Sequence, residues 1–247
     1  MKACSVPSLI RPLGLALALG AATFAHADEA EVKKSMEAFI GAPAVEKVTR
    51  TDFAGLYEVV LKNGQLVYTD AKNSFIIDGS IIDTATRRDV TQARLNQLSA
   101  IDFSTLPLDH AVKVVKGKGT RVIATFEDPN CGYCKRLGKD LAQMDDVTIY
   151  TFLYPVLGPD SDTKSRAIWC SKDAMANWRR WMLDGAVPPR SMGECDTAAI
   201  ERNVAFGRKY RINGTPALVF EDGQRVPGAM PLQEIEKRMA EARRPKG

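Results

Sequence analysis

The sequence predicts a mixed chain of the α+β class, with a small N-terminal domain and a larger C-terminal domain joined by a helix. Two hairpin signals, Asn63-Gly64 and Asp78-Gly79, lie among alternating apolar residues and predict a small antiparallel sheet. Further along, an apolar strand, a helix and a second apolar strand follow one another around "FEDPNCGYCKRLGKDL", residues 126–141. That order is typical of a βαβ unit, so the two halves of the chain are expected to fold as different domains.

The first 27 residues have the pattern of a cleavable secretory signal. Two basic residues, Lys2 and Arg11, precede the apolar run "PLGLALALGAATF". The sequence "AHA" at positions 25 to 27 then provides the small residues of a cleavage site. The uncharged stretch is shorter than the roughly 20 apolar residues that a membrane span needs. We therefore expect residues 1–27 to be removed from an exported chain.

The charge and the cysteine content of the remaining 220 residues bear on their binding partners and on the compartment in which they work. Their net charge is +2, because the signal takes away Lys2 and Arg11 and no acidic residue. This balance gives no case for a nucleic-acid partner. Four cysteines remain, an even number that suits an oxidising compartment.

Residues 28–88 predict a short amphipathic helix followed by the two hairpins. Val32, Met36 and Phe39 recur on one face of that helix. About sixty residues without a cysteine make a marginal core, and an open strand edge favours pairing with another chain. We therefore expect this domain to pair with a second copy, which makes the protein a homodimer.

Residues 89–106 predict a linker helix, since apolar residues recur at helical spacing without glycine or proline. These residues are Val90, Leu95, Leu98 and Ile101.

Residues 107–247 predict the second domain. Two β-rich runs flank residues 116–119, and the second leads into the cysteines. A helix with Leu137, Leu141 and Met144 on one face follows, and then the buried strand "DVTIYTFLYP".

A helical insertion and a terminal β-hairpin with a helix complete the predicted domain. The insertion comprises "SDTKSRAIWCSKDAMANWRRWML", with capping candidates Ser161 and Asp162, and "CDTAAIERNVAFGRKY", which starts after Cys195 with Asp196. Two short strands around Asp222-Gly223 and a helix from Pro231 end the chain.

The Cys-x-x-Cys pair fits thiol chemistry at the start of a helix. Cys131 is predicted at the first turn, exposed, where unpaired backbone N–H groups and the helix dipole favour a thiolate. Cys134 is expected to be less exposed and near enough to close a reducible disulfide. Cys131 is thus the predicted nucleophile and Cys134 the resolving thiol, while Lys135 and Arg136 are expected to be ordinary solvated residues.

Other uses of the cysteines fit less well. A zinc site usually needs four ligands, but Cys170 and Cys195 are single and distant, and His110 is the one histidine after the signal. The same lack of histidine disfavours a Cys–His hydrolase. Cys170 and Cys195 are predicted to form a structural disulfide, a second redox pair being the weaker alternative, and no metal is expected.

These features together resemble the periplasmic disulfide isomerases of the DsbC family. The resemblance rests on "CGYC" after a strand, on "GTPALVF" far downstream, on the cysteine pair in a helical insertion, and on the small N-terminal domain. It implies a thioredoxin-like catalytic domain with a helical insertion, preceded by a small cystatin-like dimerisation domain. It also implies a periplasmic location.

The family resemblance assigns further site residues. It implies a cis peptide at Thr215-Pro216, facing Cys131, against which a substrate strand can pair. Gly132 and Tyr133 are expected to contact substrate as well. Gly132 stands where the related DsbG proteins usually have proline, which favours the DsbC type.

The function implied by the resemblance is rearrangement or reduction of incorrect disulfides in misfolded secreted proteins. A membrane thiol reductase of the DsbD type is the implied electron donor, and no cofactor is required. A DsbA-type oxidase and a DsbG-like reductase or chaperone are the alternatives.

One position departs from the thioredoxin-like pattern. Many such proteins have a buried acid six residues before the first cysteine, and here that position is Thr125. Glu127 and Asp128 lie at a strand end, where solvation is expected, so neither is assigned a role. The proton acceptor for Cys134 stays open.

Overall fold

The computed structural model describes residues 21–189 and 195–243, with side chains from residue 28 onward. The chain divides into two compact units, residues 1–91 and 92–247. Within the described part, no helix is long and apolar enough to cross a membrane. Most of the predicted signal lies outside the described residues, and the first helix, α1 (Ala21–Ile40), runs through the predicted cleavage site.

The first unit is a helix packed on a three-stranded antiparallel sheet. Its strands are β1 (Val45–Arg50), β2 (Tyr57–Leu61) and β3 (Leu66–Thr69), in that order across the sheet. Apolar residues of α1 and of all three strands share one core; these are Val32, Met36, Val45, Val48, Tyr57, Val59 and Val67. The predicted apolar face of α1 is buried only in part, because Phe39 in its last turn is 72 % exposed.

One of the two predicted hairpins is correct. The β2–β3 hairpin around Asn63-Gly64 is confirmed, with Gly64 at φ +89° in the turn. The prediction of a hairpin at Asp78-Gly79 is wrong. Ile77, just before that dipeptide, instead forms an isolated antiparallel bridge with Tyr68 of β3. Strand β1 was not predicted from the sequence.

A separate two-stranded ribbon follows, formed by β4 (Ile82–Asp83) and β5 (Arg88–Asp89). Its turn is stabilised by the Asp83 carboxylate, which accepts hydrogen bonds from the backbone N–H groups of Ala85 and Thr86. The chain reversal predicted at Asp78-Gly79 therefore occurs instead at this Asx-type turn.

The predicted linker helix is shorter than expected. Helix α2 spans Val90–Leu98, and only short 3₁₀ turns follow at Phe103–Thr105 and Leu108–His110. Ile101, the last residue of the predicted helical pattern, is fully buried, and its N–H donates to the Gly223 carbonyl at 2.9 Å. Burial of Ile101 in the core of the second unit therefore overrides the helical spacing.

The second unit is built on a five-stranded mixed sheet. Its strands are β6 (Val112–Lys116), β7 (Arg121–Glu127), β8 (Val147–Leu153), β9 (Ala217–Phe220) and β10 (Arg225–Pro227). The spatial order is β10-β9-β7-β8-β6, and β7 and β8 are parallel neighbours. Helix α3 (Gly132–Leu141) connects them, which confirms the predicted βαβ unit.

Alternation along β7 separates two cores on the two faces of the sheet. Ile123 packs with residues of α3 and of the last helix, α7 (Leu232–Ala242). Ala124 and Phe126 pack on the opposite face, against residues of α6 (Ala198–Lys209). Odd-numbered residues of β7 thus face α3, the helix that carries the cysteine pair.

The helical insertion differs in detail from the prediction. It contains α4 (Pro159–Trp169) and α5 (Ala174–Asp184), separated by a short break. Helix α4 begins two residues before the predicted cap Ser161, with Pro159 at a position where its missing N–H costs nothing. The cap of α6 is Thr197, next to the predicted Asp196.

We predict that Gly207→Ala lowers stability. A Cβ at this position of α6 would lie 2.6 Å from Tyr154 Cζ, and the Tyr154 hydroxyl is held by a 2.9 Å hydrogen bond to the Ile212 carbonyl. Because overpacking a core typically costs 1–3 kcal/mol, we expect a loss of roughly that size in urea unfolding.

Gly138→Ala is the matched control in another helix. A Cβ there meets its nearest neighbour, Leu183, at an ordinary 3.7 Å. Alanine is favoured over glycine inside helices by up to about 1 kcal/mol, so this variant should be as stable as the parent or more stable. Equal effects of the two changes would contradict the packing argument.

Candidate active site

The two free cysteines lie at the start of α3. Cys131 is the N-cap residue, held by a 3.1 Å hydrogen bond from its N–H to the Asp128 carbonyl. Its sulfur accepts a hydrogen bond from the Cys134 N–H at 3.3 Å. A backbone N–H at the positive end of the helix dipole therefore points at this sulfur.

The Thr215-Pro216 segment lies against the same sulfur. The Cys131 thiol donates to the Thr215 carbonyl at 3.3 Å, and the Thr215-Pro216 peptide is cis. Pro216 immediately precedes β9, the neighbour of β7 in the sheet. The sheet thus brings residue 215 to residue 131, although 84 positions separate them.

Exposure differs between the two thiols and their neighbours. Cys134 is fully buried, and Cys131 is only 5 % exposed, so the prediction of an exposed Cys131 is wrong in extent. Between them, Gly132 is exposed and Tyr133 is 62 % exposed. The site therefore exposes very little of Cys131, next to an accessible aromatic ring.

Asp128 holds the loop before Cys131, and its burial corrects the prediction that it is solvated. Its Oδ2 accepts hydrogen bonds from the N–H groups of Val156 and Leu157, at 2.8 and 2.9 Å. Its Oδ1 accepts from the Asn130 N–H and the Ser161 hydroxyl. One buried carboxylate thus joins the cysteine loop to the start of the insertion.

A tryptophan from the insertion packs beside the cysteine loop. The Trp181 ring N–H donates to the Pro129 carbonyl at 2.6 Å. Lys135 Nζ lies 4.2 Å from the Trp181 ring centroid, and Lys164 Nζ lies 4.8 Å from it. Lys135 is therefore not merely solvated, because its charge is placed over an aromatic face.

Burial has a large effect on Cys134. It raises the pKa of the Cys134 thiol far above its ordinary value, and the negative charge of Glu127 and the hydrogen bond with Cys131 act in the same direction. A backbone N–H of Asp128 opposes these effects. Cys134 is accordingly held as a thiol in this environment.

Glu127 is also buried, contrary to the expectation of a solvated strand end. It is 1 % exposed, and burial raises its pKa from 4.5 to about 7, although a hydrogen bond from Thr125 favours the ionised form. That bond joins Thr125 Oγ1 to Glu127 Oε1 at 2.7 Å. The alternation of strand residues, which puts positions 125 and 127 on the same face of β7, is the signal in the sequence that could have indicated this burial.

Cys170 and Cys195 form a disulfide that links the end of α4 to the segment before α6. Because their sulfurs are bonded to each other, they are not available as thiolate ligands beside Cys131 and Cys134. Within residues 21–189 and 195–243, no group of three or more histidine, cysteine or acidic residues is placed to hold a metal ion.

The pKa of Glu127 predicts a pH-dependent contribution to stability. Below about pH 4.5 the side chain is protonated in both the folded and the unfolded chain. Between pH 4.5 and about 7 only the folded chain keeps the proton, so rising pH lowers the free energy of unfolding, on the order of 3 kcal/mol at full effect.

Glu127→Gln should remove that loss. We expect its stability relative to the parent chain to increase between pH 4.5 and 8, in urea unfolding measured across that range. Glu241→Gln, the same change at an exposed position, should show no such trend. A constant difference between Glu127→Gln and the parent at all pH values would contradict the raised pKa.

Comparison with known proteins places this geometry in a family. Residues 23–92 match the disulfide bond isomerase protein N-terminal domain, and residues 108–243 match the thioredoxin-like domain. The "probable thiol:disulfide interchange protein DsbC" of Bordetella parapertussis is 51 % identical over 195 residues, which cover 79 % of this chain and 68 % of that protein.

More distant relatives agree. The "thiol:disulfide interchange protein DsbC" of Escherichia coli K12 is 31 % identical over 221 residues, covering 87 % of this chain and 88 % of that protein. The crystal structure of a disulfide interchange protein from Neisseria gonorrhoeae is 35 % identical with a TM-score of 0.52, covering 56 % of this chain and 99 % of that one. The α+β prediction with a thioredoxin-like domain is confirmed, and the chain belongs to the DsbC family of thiol:disulfide interchange proteins.

Proposed function

We propose that the protein rearranges or reduces incorrect disulfides in secreted proteins, with Cys131 as the nucleophile. The observation that carries the proposal is the Cys131 sulfur itself, placed at a helix N-cap between the Cys134 N–H and the Thr215 carbonyl. Cys134 lies buried one turn along the same helix. This arrangement suits an attacking thiol and a reserve thiol that acts only after attack.

The first step joins enzyme and substrate covalently. The Cys131 thiolate attacks one sulfur of a substrate disulfide, the substrate S–S bond breaks, and the other substrate sulfur leaves as a thiolate. A mixed disulfide now links Cys131 to the substrate. We propose that Thr215, Pro216, Gly132 and Tyr133 contact the substrate chain; of these, Thr215 lies against the Cys131 sulfur through its carbonyl.

The mixed disulfide has two outcomes. In isomerisation, a substrate thiolate attacks another substrate disulfide, and a final attack on the mixed disulfide releases Cys131 unchanged. In reduction, Cys134 attacks Cys131, which closes the Cys131–Cys134 disulfide and frees a reduced substrate. Reduction takes two electrons from the enzyme, so we propose a membrane thiol reductase of the DsbD type as the donor that restores them.

Location and assembly complete the proposal. We propose that the protein acts in the periplasm after removal of residues 1–27. We also propose that it is a homodimer formed through its first unit, where Phe75, Ile76, Ile77 and Ile82 are exposed apolar residues within eight positions. Such clustering is typical of an interaction surface.

Serine variants test the two thiol roles. Cys131→Ser should reduce rearrangement of a scrambled multi-disulfide protein to the uncatalysed rate, because no attacking thiolate remains. Cys134→Ser should keep the first attack and accumulate mixed disulfides, visible by non-reducing electrophoresis. Faster alkylation of Cys134 than of Cys131 at mildly acidic pH would contradict the assignment.

Sedimentation equilibrium tests the homodimer. The intact protein should have twice the mass of one chain at micromolar concentration, and Ile76→Asp should shift the equilibrium toward monomer because it puts a charge in the exposed apolar segment. Val115→Asp, at an exposed apolar position of the second unit, is the matched control and should leave the mass unchanged. A monomeric parent protein with full isomerase activity would contradict the proposal.

A further inference from the structure

Two basic residues follow the cysteine pair on α3, and each lies over an aromatic ring. Lys135 Nζ is 4.2 Å from the centroid of the Trp181 ring, and Arg136 Cζ is 5.3 Å from the centroid of the Tyr133 ring. A cation is attracted to the face of an aromatic ring, so each ring restrains the charge above it. Both positive charges are therefore held near the start of the helix, where Cys131 is the cap.

Arg136 and Tyr133 share the exposed face of α3. Residues three positions apart in a helix are neighbours on its surface, and both side chains are exposed. Gly132, one turn before Arg136, would have no heavy atom within 4 Å of a Cβ, so the space in front of this face is open. The guanidinium is thus accessible on the side of the helix that leads to Cys131.

Lys135 lies against the helical insertion. The same Trp181 ring also carries Lys164, but Lys164 is neutralised by an ion pair with Asp160. Because the Trp181 ring N–H donates to the Pro129 carbonyl, the ring and the Lys135 charge lie next to the cysteine loop. Lys135 is therefore a second positive charge at the same end of α3.

The two cations have no acidic partner in the described part of the chain. Neither Lys135 nor Arg136 forms an ion pair there, whereas Arg166 of the insertion pairs with acids of α4 and α6. Helix α3 has a single acid, Asp140, near its far end. Asp128 is fully buried, and its oxygens already accept hydrogen bonds. An anionic group can therefore reach both cations without displacing a partner.

We propose that Arg136, assisted by Lys135, makes the protein prefer substrate disulfides that are flanked by acidic residues. The proposal deepens the thiol–disulfide exchange proposed above and rests on it. A carboxylate beside the attacked substrate cysteine binds the Arg136 guanidinium, whose planar fork matches the two oxygens. The Tyr133 ring holds the guanidinium at the exposed face of the helix, where a substrate chain can meet it.

The covalent step is the one already described. The Cys131 thiolate forms a bond to one substrate sulfur, the substrate S–S bond breaks, and the electron pair leaves on the other substrate sulfur. Arg136 and Lys135 neither form nor break a bond in this step. They act on the charge of the side chains that flank the substrate disulfide, which makes them specificity-determining residues.

Solvent exposure limits the size of the preference. Ion pairs between exposed groups are weak in water, and dissolved salt screens them further. We therefore expect acidic flanks to be preferred over neutral flanks by about threefold at low salt, and the preference to disappear at high salt.

Three disulfide-linked peptides that differ only beside their cysteines test the proposal. The flanking residues are glutamate, glutamine or lysine, and the reduced full-length protein carries Cys134→Ser so that only the first attack is observed. The mixed disulfide is quantified by mass spectrometry after an acid quench. Each rate is divided by the rate of the same peptide with β-mercaptoethanol, a neutral thiol, which removes intrinsic differences among the peptides. The glutamate peptide should react fastest and the lysine peptide slowest.

Variants assign the preference to the two cations. Arg136→Gln should lower the ratio of the glutamate rate to the glutamine rate toward one, while Arg136→Lys should retain most of it because the charge is kept. Lys135→Gln should lower the ratio less, because Lys135 is half-buried over the Trp181 ring. Arg202→Gln, at an exposed arginine of α6, is the matched control and should keep the parent ratio.

Several results would overturn the proposal. These are equal rates for the three peptides in the parent, a ratio that persists in Arg136→Gln or at high salt, and an equal slowing of all three peptides in Arg136→Gln. The last result would assign Arg136 to the reactivity of Cys131 instead of to the choice of substrate. Failure of the underlying exchange is recognised separately, because the glutamine peptide would then form no mixed disulfide, or would still form one in Cys131→Ser with Cys134 retained.

Discussion

The active site depends on how the chain passes from β7 into α3. The buried Asp128 carboxylate binds the backbone of the 156–157 segment and the Ser161 hydroxyl, while the Asp128 carbonyl accepts the Cys131 N–H. These bonds leave Cys131 at the helix cap, where the Cys134 N–H points at its sulfur. Burying the Asp128 carboxylate is tolerated only because both of its oxygens accept hydrogen bonds. A shift of the cysteine loop would break these bonds, so the loop is held in one position.

The sheet supplies the other half of the site. Because β9 pairs with β7, the segment before β9 meets the segment after β7, and Thr215 comes to rest against Cys131. The insertion then covers the cysteine loop from the side, through the bond from Trp181 to the Pro129 carbonyl. Three distant parts of the chain therefore meet around the Cys131 loop, and the neighbouring Tyr133 ring is exposed.

The contrast between the two thiols follows from the same packing. Both cysteines belong to the apolar cluster that includes Leu153, Ile168 and Trp178, but Cys131 is 5 % exposed and Cys134 is fully buried. Burial keeps the proton on Cys134, so the two thiols of one helix differ in how readily they can react.

Much of the fold and the cysteine site was predictable from the sequence, because these features depend on local patterns. The Asn63-Gly64 hairpin, the strand and helix around Cys131, and the helix cap follow from turn chemistry, alternation and capping within a few residues. The family resemblance added the cis peptide at Thr215-Pro216, which no local pattern indicates.

What only the tertiary structure decided was burial. Ile101 is buried in a core and is not part of the predicted helix. Ile77 pairs with Tyr68, so no hairpin forms at Gly79. Cys131, predicted to be exposed, is almost fully buried. Glu127 and Asp128 appear in the sequence as the polar end of a strand, yet the packing of α3, α4 and α5 encloses that end. Whether an acidic residue is solvated or has its pKa raised depends on which distant segments cover it, and that information is not carried by its neighbours in sequence.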